Sequence, residues 1–213
     1  MALYLTLFRE LQSNLIMEET LVEVIEMQGF KIMTLEERYG DELEQWVRLE
    51  PSIITYDELR YLRVLHFGYD GYIYQGEIIV NEQVAQEVLD IFKELYAIQF
   101  PIQKMLVMSC YEGDDELSMQ DNNTSGFNFR AVTNSNHYSK HAYGLAIDIN
   151  PLVNPYIKGD VILPVNGEAY MDRNQHVLGM IHEDDCIVSI FKNYGWTWGG
   201  DWSSLKDYQH FKK

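Results

Sequence analysis

Ser139-Lys140-His141-Ala142-Tyr143-Gly144-Leu145-Ala146-Ile147-Asp148, read together with Asp207-Tyr208-Gln209-His210-Phe211 near the C-terminus, is where the chemistry of this chain concentrates. The two stretches hold two imidazoles and a carboxylate suited to one metal ion, plus a second carboxylate three residues before the last imidazole. A catalytic zinc takes three protein ligands and keeps a fourth position for water. A carboxylate outside the ligand set can then receive that water's proton.

The spacing constrains the backbone. His141 and Asp148 are seven residues apart. On one helix they would share a face but stand about 10 Å apart along the axis, too far for one ion. On one flat strand the odd spacing would send them to opposite faces. They converge only if the chain bends between them, and Gly144 is placed to allow a bend. Asp207 and His210, three apart, can share one side of a single turn. His137 and His141 have the i, i+4 spacing of two zinc ligands on a helix, but Asn134-Ser-Asn-His137-Tyr-Ser reads as loop, so His137 is not expected to ligate. His66, His176 and His182 have no partner pattern and read as surface or core histidines.

Around these stretches lies an ordinary folded composition: 213 residues, 46% hydrophobic and 23% charged, enough for a well-buried core. The formal net charge of −17 argues against nucleic acid or an anionic membrane as the main partner, since both reward basic patches. Cys110 and Cys186 lack the spacing of a zinc knuckle; they read as two buried thiols, and whether they pair stays open. Met1 to Glu10 is apolar but broken by charge after eight residues, with no basic leader and no apolar run able to span a bilayer.

Residues 1–50 read as a helical segment. Leu5, Phe8, Leu11 and Leu15 recur on one helix face, Thr34-Leu-Glu-Glu37 is a capping box, and Tyr39, Leu43, Trp46 and Val47 form a stripe before Pro51. Tyr61 to Val80 reads as two strands joined at Gly68-Tyr-Asp70-Gly71. Asn81 can cap a helix carrying Val84, Val88, Ile91, Phe92 and Leu95, ended by Pro101. Met105 to Met108 is a short strand candidate, Asp114 to Ser125 reads as loop, and Leu145 to Ile149 as a strand carrying Asp148. The stretch to about residue 180 is rich in turn signals, and Asp184 to Tyr194 reads as a helix. This mixture indicates an α+β protein rather than a regular βαβ series.

The ordered pattern Ser139-x-His141-x-x-Gly144-x-Ala146-x-Asp148, then Asp207-x-x-His210, resembles the zinc-dependent D-alanyl-D-alanine carboxypeptidase family. Its relatives include vancomycin-resistance peptidases, endolysin L-alanyl-D-glutamate peptidases and hedgehog domains. The resemblance extends to Asn128-Phe-Arg130, Ile149 to Tyr156 and Trp198-Gly-Gly-Asp-Trp202, covering residues from about 53 to 211. It implies a hedgehog/DD-peptidase-like fold, a small central antiparallel sheet with flanking helices, over residues 51–213, with the segment 1–50 outside it. It also implies zinc held by His141, Asp148 and His210, with Asp207 as general base where many relatives have Glu.

Arg130 sits at the family's arginine position and is the candidate for oxyanion stabilisation. Ser139 is expected to bind substrate or orient the His141 loop, and Trp198, with Trp202, to wall the cleft or pack in the core. The implied activity is hydrolysis of bacterial cell-wall peptides. The leading substrate is a peptidoglycan stem peptide or other D-Ala-D-Ala-terminated peptide. A peptidoglycan endopeptidase and a non-catalytic zinc-containing binding module are the alternatives. Such a substrate implies the cell envelope or the extracellular space, although no export signal is visible.

Overall fold

The computed structural model describes residues 29–130 and 138–213; the expected helix face from Leu5 to Leu15, and His137, lie outside the described residues. The first sheet is antiparallel, in the order β1 (Lys31–Thr34), β2 (Leu59–Phe67), β3 (Ile73–Asn81). The β2–β3 hairpin turns where the Gly-containing sequence places it, with Phe67 opposite Ile73. β1 corrects the reading of residues 1–50 as helical, because Lys31 to Thr34 pair with Arg63 to Arg60. The pattern missed this strand because it ends directly at a genuine helix signal. Thr34 caps α1 (Leu35–Tyr39), its hydroxyl accepting from Glu37 N while the Glu37 carboxylate accepts from Thr34 N. The short α2 (Leu43–Trp46) follows after Gly40, whose positive φ of 53° breaks the helix the stripe predicted.

Asn81 starts α3 (Glu82–Ala97), accepting from Gln83 N at 3.0 Å. Val84, Val88, Ile91, Phe92 and Leu95 are buried along one face of it. They meet Leu62, Val64, Ile78 and Val80 of the first sheet. The same core takes in Ile187, Val188 and Phe191 of α5 (Cys186–Asn193). It closes on Ile147, Trp198 and Phe211 of a second sheet, ordered β4 (Ala146–Asp148), β9 (His210–Lys212), β7 (Thr197–Trp198). Burying one such side chain contributes about 1.5–3 kcal/mol, so this core is what holds the second sheet against α3 and α5.

A third antiparallel sheet, β6 (Val161–Leu163), β5 (Tyr156–Lys158), β8 (Lys206–Asp207), lies in the stretch that turn signals alone described as irregular. The architecture is mixed helix and small antiparallel sheets. Among the described residues there are three three-stranded sheets, where one central sheet was expected.

Three local expectations change. Met105 to Met108 forms no strand; it reaches β3 through one bond, Glu77 N donating to Met105 O at 3.0 Å, before a 3₁₀ turn at Met108–Tyr111. The acidic stretch read as loop contains α4 (Asp115–Gln120), capped by Asp114 accepting from Leu117 N. Cys110 and Cys186 are exposed free thiols, not buried ones, because one sits in that 3₁₀ turn and the other opens α5. Among the described residues no helix is long and apolar enough to cross a membrane.

Candidate metal centre

His141 lies in a 3₁₀ turn, Lys140–Tyr143, capped by Ser139, whose hydroxyl accepts from His141 N at 3.3 Å. The turn ends at Gly144 with φ 65° and ψ 23°, a left-handed residue that redirects the chain into β4. Asn81 braces the bend from the far side: its N–H donates to Gly144 O at 2.9 Å and its side-chain amide to Tyr143 O at 3.0 Å. A Cβ on Gly144 would stand 2.5 Å from Asn81 N. Gly144→Ala is therefore expected to destabilise the protein by about 2 kcal/mol or more, read as a lowered chemical-denaturation midpoint, and to weaken metal retention with it.

Strand pairing supplies the other two groups. Asp148 on β4 faces His210 on β9 in antiparallel register, so their side chains share one face. Phe211, between His210 and Lys212, turns the opposite way into the core and stacks on Phe191 at 4.0 Å. The result is a buried triad. His141 Nε2 stands 3.0 Å from Asp148 Oδ2, His210 Nδ1 2.9 Å from Asp148 Oδ1, and the two ring nitrogens 3.3 Å from each other.

The donor set fits zinc. Zinc–nitrogen bonds of about 2.0–2.1 Å in a tetrahedral set put neighbouring ligand atoms about 3.3 Å apart, close to the separations found. The outer shell fits as well. His141 Nδ1 lies 2.6 Å from Gly126 O, and a carbonyl only accepts, so Nδ1 carries the proton and Nε2 is left for the metal. Gly126 can come this close to the sheet because it has no Cβ, which would sit 2.5 Å from Ile79 O.

Burial opposes charge on these groups, and their mutual attraction overrides it. Desolvation works against a charged His141, yet the Asp148 carboxylate holds its pKa above the ordinary imidazole value. Asp148 is likewise penalised by burial, but His141 and His210 hold it far below the usual carboxylate range. A proton on His141 must leave before Nε2 can ligate. Zinc affinity is therefore expected to weaken as pH falls through the raised His141 pKa, which a chelator-competition titration between about pH 8 and pH 5.5 measures.

Asp207 sits on β8, opposite Tyr156, and a two-residue turn leads from it to His210. Its backbone packs on Gly199, where a Cβ would lie 2.4 Å from Asp207 O. Its Oδ1 is enclosed and has no hydrogen-bond partner. Burial pushes its pKa up to about 6; His210 and His141 pull it down and Asp148 pushes it up further. It is a carboxylate poised to exchange a proton near neutrality.

Arg130 is held by Asp115, Nη2 to Oδ2 at 2.9 Å, and its charge reaches His141, where it disfavours a second positive charge. Asp115 also accepts from Asn128 Nδ2 at 3.2 Å. Asp115 went unnoticed in the sequence because its neighbours are acidic and nothing local marks it as the partner of an arginine. Asn128 also lines a cavity of about 580 Å³ with Trp46, Val47, Val107, Phe127 and Phe129, so residues before 51 help to build this side of the molecule.

Trp198 does not wall a cleft. It is 2% exposed within the core, its indole N–H donating to Tyr208 O at 2.9 Å. A two-residue strand pairs it with Phe211, and that pairing draws the ring inward. Trp202 is the aromatic that meets the site, its ring 5.5 Å from that of His210. The other described histidines are engaged elsewhere: His66 with Ile102 O, His182 with Gln175 O and Asp185, and His176 with the His182 ring at 5.3 Å.

A buried His–Asp–His group able to hold a metal is thus in place. Residues 133–213 match the family model of D-alanyl-D-alanine carboxypeptidase. The matched segment contains His141, Asp148, Asp207 and His210 and stops short of Arg130. It supports the zinc peptidase family that the ordered motifs resemble. Neither the comparison with curated proteins nor that with solved structures gives a match.

Proposed function

We propose that the protein is a zinc-dependent peptidase that removes the terminal D-Ala from D-Ala-D-Ala-ended cell-wall peptides. The observation that carries this reading is the buried convergence of His141, Asp148 and His210 beside a carboxylate, Asp207, raised to about 6. Zinc held by His141, Asp148 and His210 would supply Lewis acidity and lower the pKa of the attacking water. Asp207 accepts the proton released as the scissile carbonyl is attacked, then returns it to the leaving amine. Arg130 directs fixed positive charge to the developing oxyanion, and its ion pair with Asp115 keeps it from swinging away. Ser139 orients the His141 turn, since its hydroxyl is committed to His141 N.

The test is mass spectrometry of defined muropeptides, pentapeptide and cross-linked, after incubation with the zinc-loaded chain and with a chelated control. Loss of one terminal D-Ala, abolished by chelation, is the expected result. Internal cuts would mark an endopeptidase. No zinc-dependent product from zinc-containing protein would leave a binding module as the reading.

A further inference from the structure

We propose that Lys212, seated on Trp202, receives the C-terminal carboxylate of the substrate and makes the site selective for free peptide ends. The inference rests on the peptidase reading and assigns the group that recognises the substrate's end.

His210 and Lys212 are two residues apart on β9, so strand alternation puts them on one face, with Phe211 between them facing the core. Lys212 Nζ lies 4.7 Å from the centroid of the Trp202 ring, and that ring is in turn 5.5 Å from the His210 ring. Trp202 is therefore the shared neighbour of a candidate metal ligand and of a cation. A cation–π contact fixes an ammonium in place without neutralising it.

The neighbouring lysines are otherwise engaged. Lys213 pairs with Glu87 at 3.0 Å, and Lys206 donates to Gly200 O at 2.7 Å. Among the described residues no Asp or Glu makes an ion pair with Lys212, in a chain carrying 33 acidic residues against 16 basic ones. Carboxylates are plentiful in the chain, yet none among the described residues pairs with this charge.

A leaving group of one residue carries its terminal carboxylate immediately beyond the scissile bond, where an ammonium can meet it. A peptide continuing past the scissile bond would instead meet the ammonium with neutral backbone. Arg130 and Lys212 then have separate tasks: one charge for the developing oxyanion beside His141, the other for the terminal carboxylate beyond His210.

The test compares N-acyl-D-Ala-D-Ala with its C-terminal amide, using the zinc-loaded full chain, the Lys212→Met variant, which keeps the aliphatic stem on Trp202, and Lys212→Arg. Wild type is expected to favour the free acid by about tenfold or more in kcat/KM. Lys212→Met should lose most of that preference through KM, with kcat and zinc content little changed, and Lys212→Arg should keep it. Equilibrium binding of acid and amide to zinc-loaded Asp207→Asn protein, with and without Lys212→Met, reads the same preference without turnover. Equal treatment of acid and amide by wild type, or a preference that survives Lys212→Met, overturns the proposal. Absence of any cleavage by wild type counts against the peptidase reading alone. The binding comparison then still decides for or against Lys212.

Discussion

Asp207→Asn is expected to lose about 10²–10⁴-fold in hydrolysis while keeping its zinc. The side chain stands outside the His141–Asp148–His210 set, so removing its charge leaves all three ligand atoms in place. The same substitution should not destabilise the metal-free protein. A carboxylate whose folded pKa is raised to about 6 is penalised by folding at every pH above that value, and the penalty is relieved as pH falls below it. Asparagine carries no such charge, so at neutral pH the metal-free variant should be as stable as wild type or up to about 3 kcal/mol more stable. Kinetics on a D-Ala-D-Ala peptide, zinc analysis and chemical denaturation of the chelated protein together check this. Hydrolysis at the wild-type rate would remove Asp207 from the mechanism. A loss of stability equal to that of a core mutation would make it a structural residue.

Asp148→Ala should have the other large effect, on the metal itself. Asp148 contacts both His141 and His210, so its removal takes away one candidate ligand and the brace between the other two. Zinc affinity is expected to fall by more than about 100-fold, and hydrolysis to the level of the chelated control.

Metal-free stability should fall too, by about 3–5 kcal/mol where the buried pair is charged. The sign follows from His141. Its folded pKa is raised, so the stability it draws from Asp148 is complete below the unfolded imidazole value of about 6.5 and is lost as pH rises through the folded value. Asp148 remains ionised throughout that window because its own pKa is held low. The gap between wild type and Asp148→Ala in chelator should therefore be widest near about pH 5 and narrow on the alkaline side. A gap that widens with rising pH would mean that Asp148 is not the partner of a charged His141.

Asp207 is the group at this site that opposes folding, through an enclosed carboxylate oxygen without a partner. A dication held by the neighbouring triad would offset that penalty by drawing the Asp207 pKa down.

The need for a bend at Gly144 follows from residue identities and from the two backbone periods, whereas the candidate ligand set of His141, Asp148 and His210 came from the ordered pattern's resemblance to a known family. Neither helix nor strand geometry lets residues seven apart share an ion, so a bend at the glycine between them was legible in advance, and the structure makes it a left-handed one. Local signals likewise carried the Thr34 capping box, the Asn81 cap, the β2–β3 hairpin and the apolar face of α3, because each depends on contacts within a few residues.

What lay outside the sequence's reach was every pairing between distant segments. β1 looked helical until β2 offered it hydrogen bonds. β5 and β6 looked like turns until β8 joined them, and that pairing is what sets Asp207 ahead of His210. Trp198 and Trp202 belong to the same aromatic stretch; burial against Phe211 sends the first into the core, while the second is left beside His210 and Lys212. Asp115 acquires its meaning only when Arg130 arrives beside it. Local order sets which groups can do chemistry, but long-range packing brings distant groups within reach of one another, since the free energy that pairs remote strands comes from a core that no short window contains.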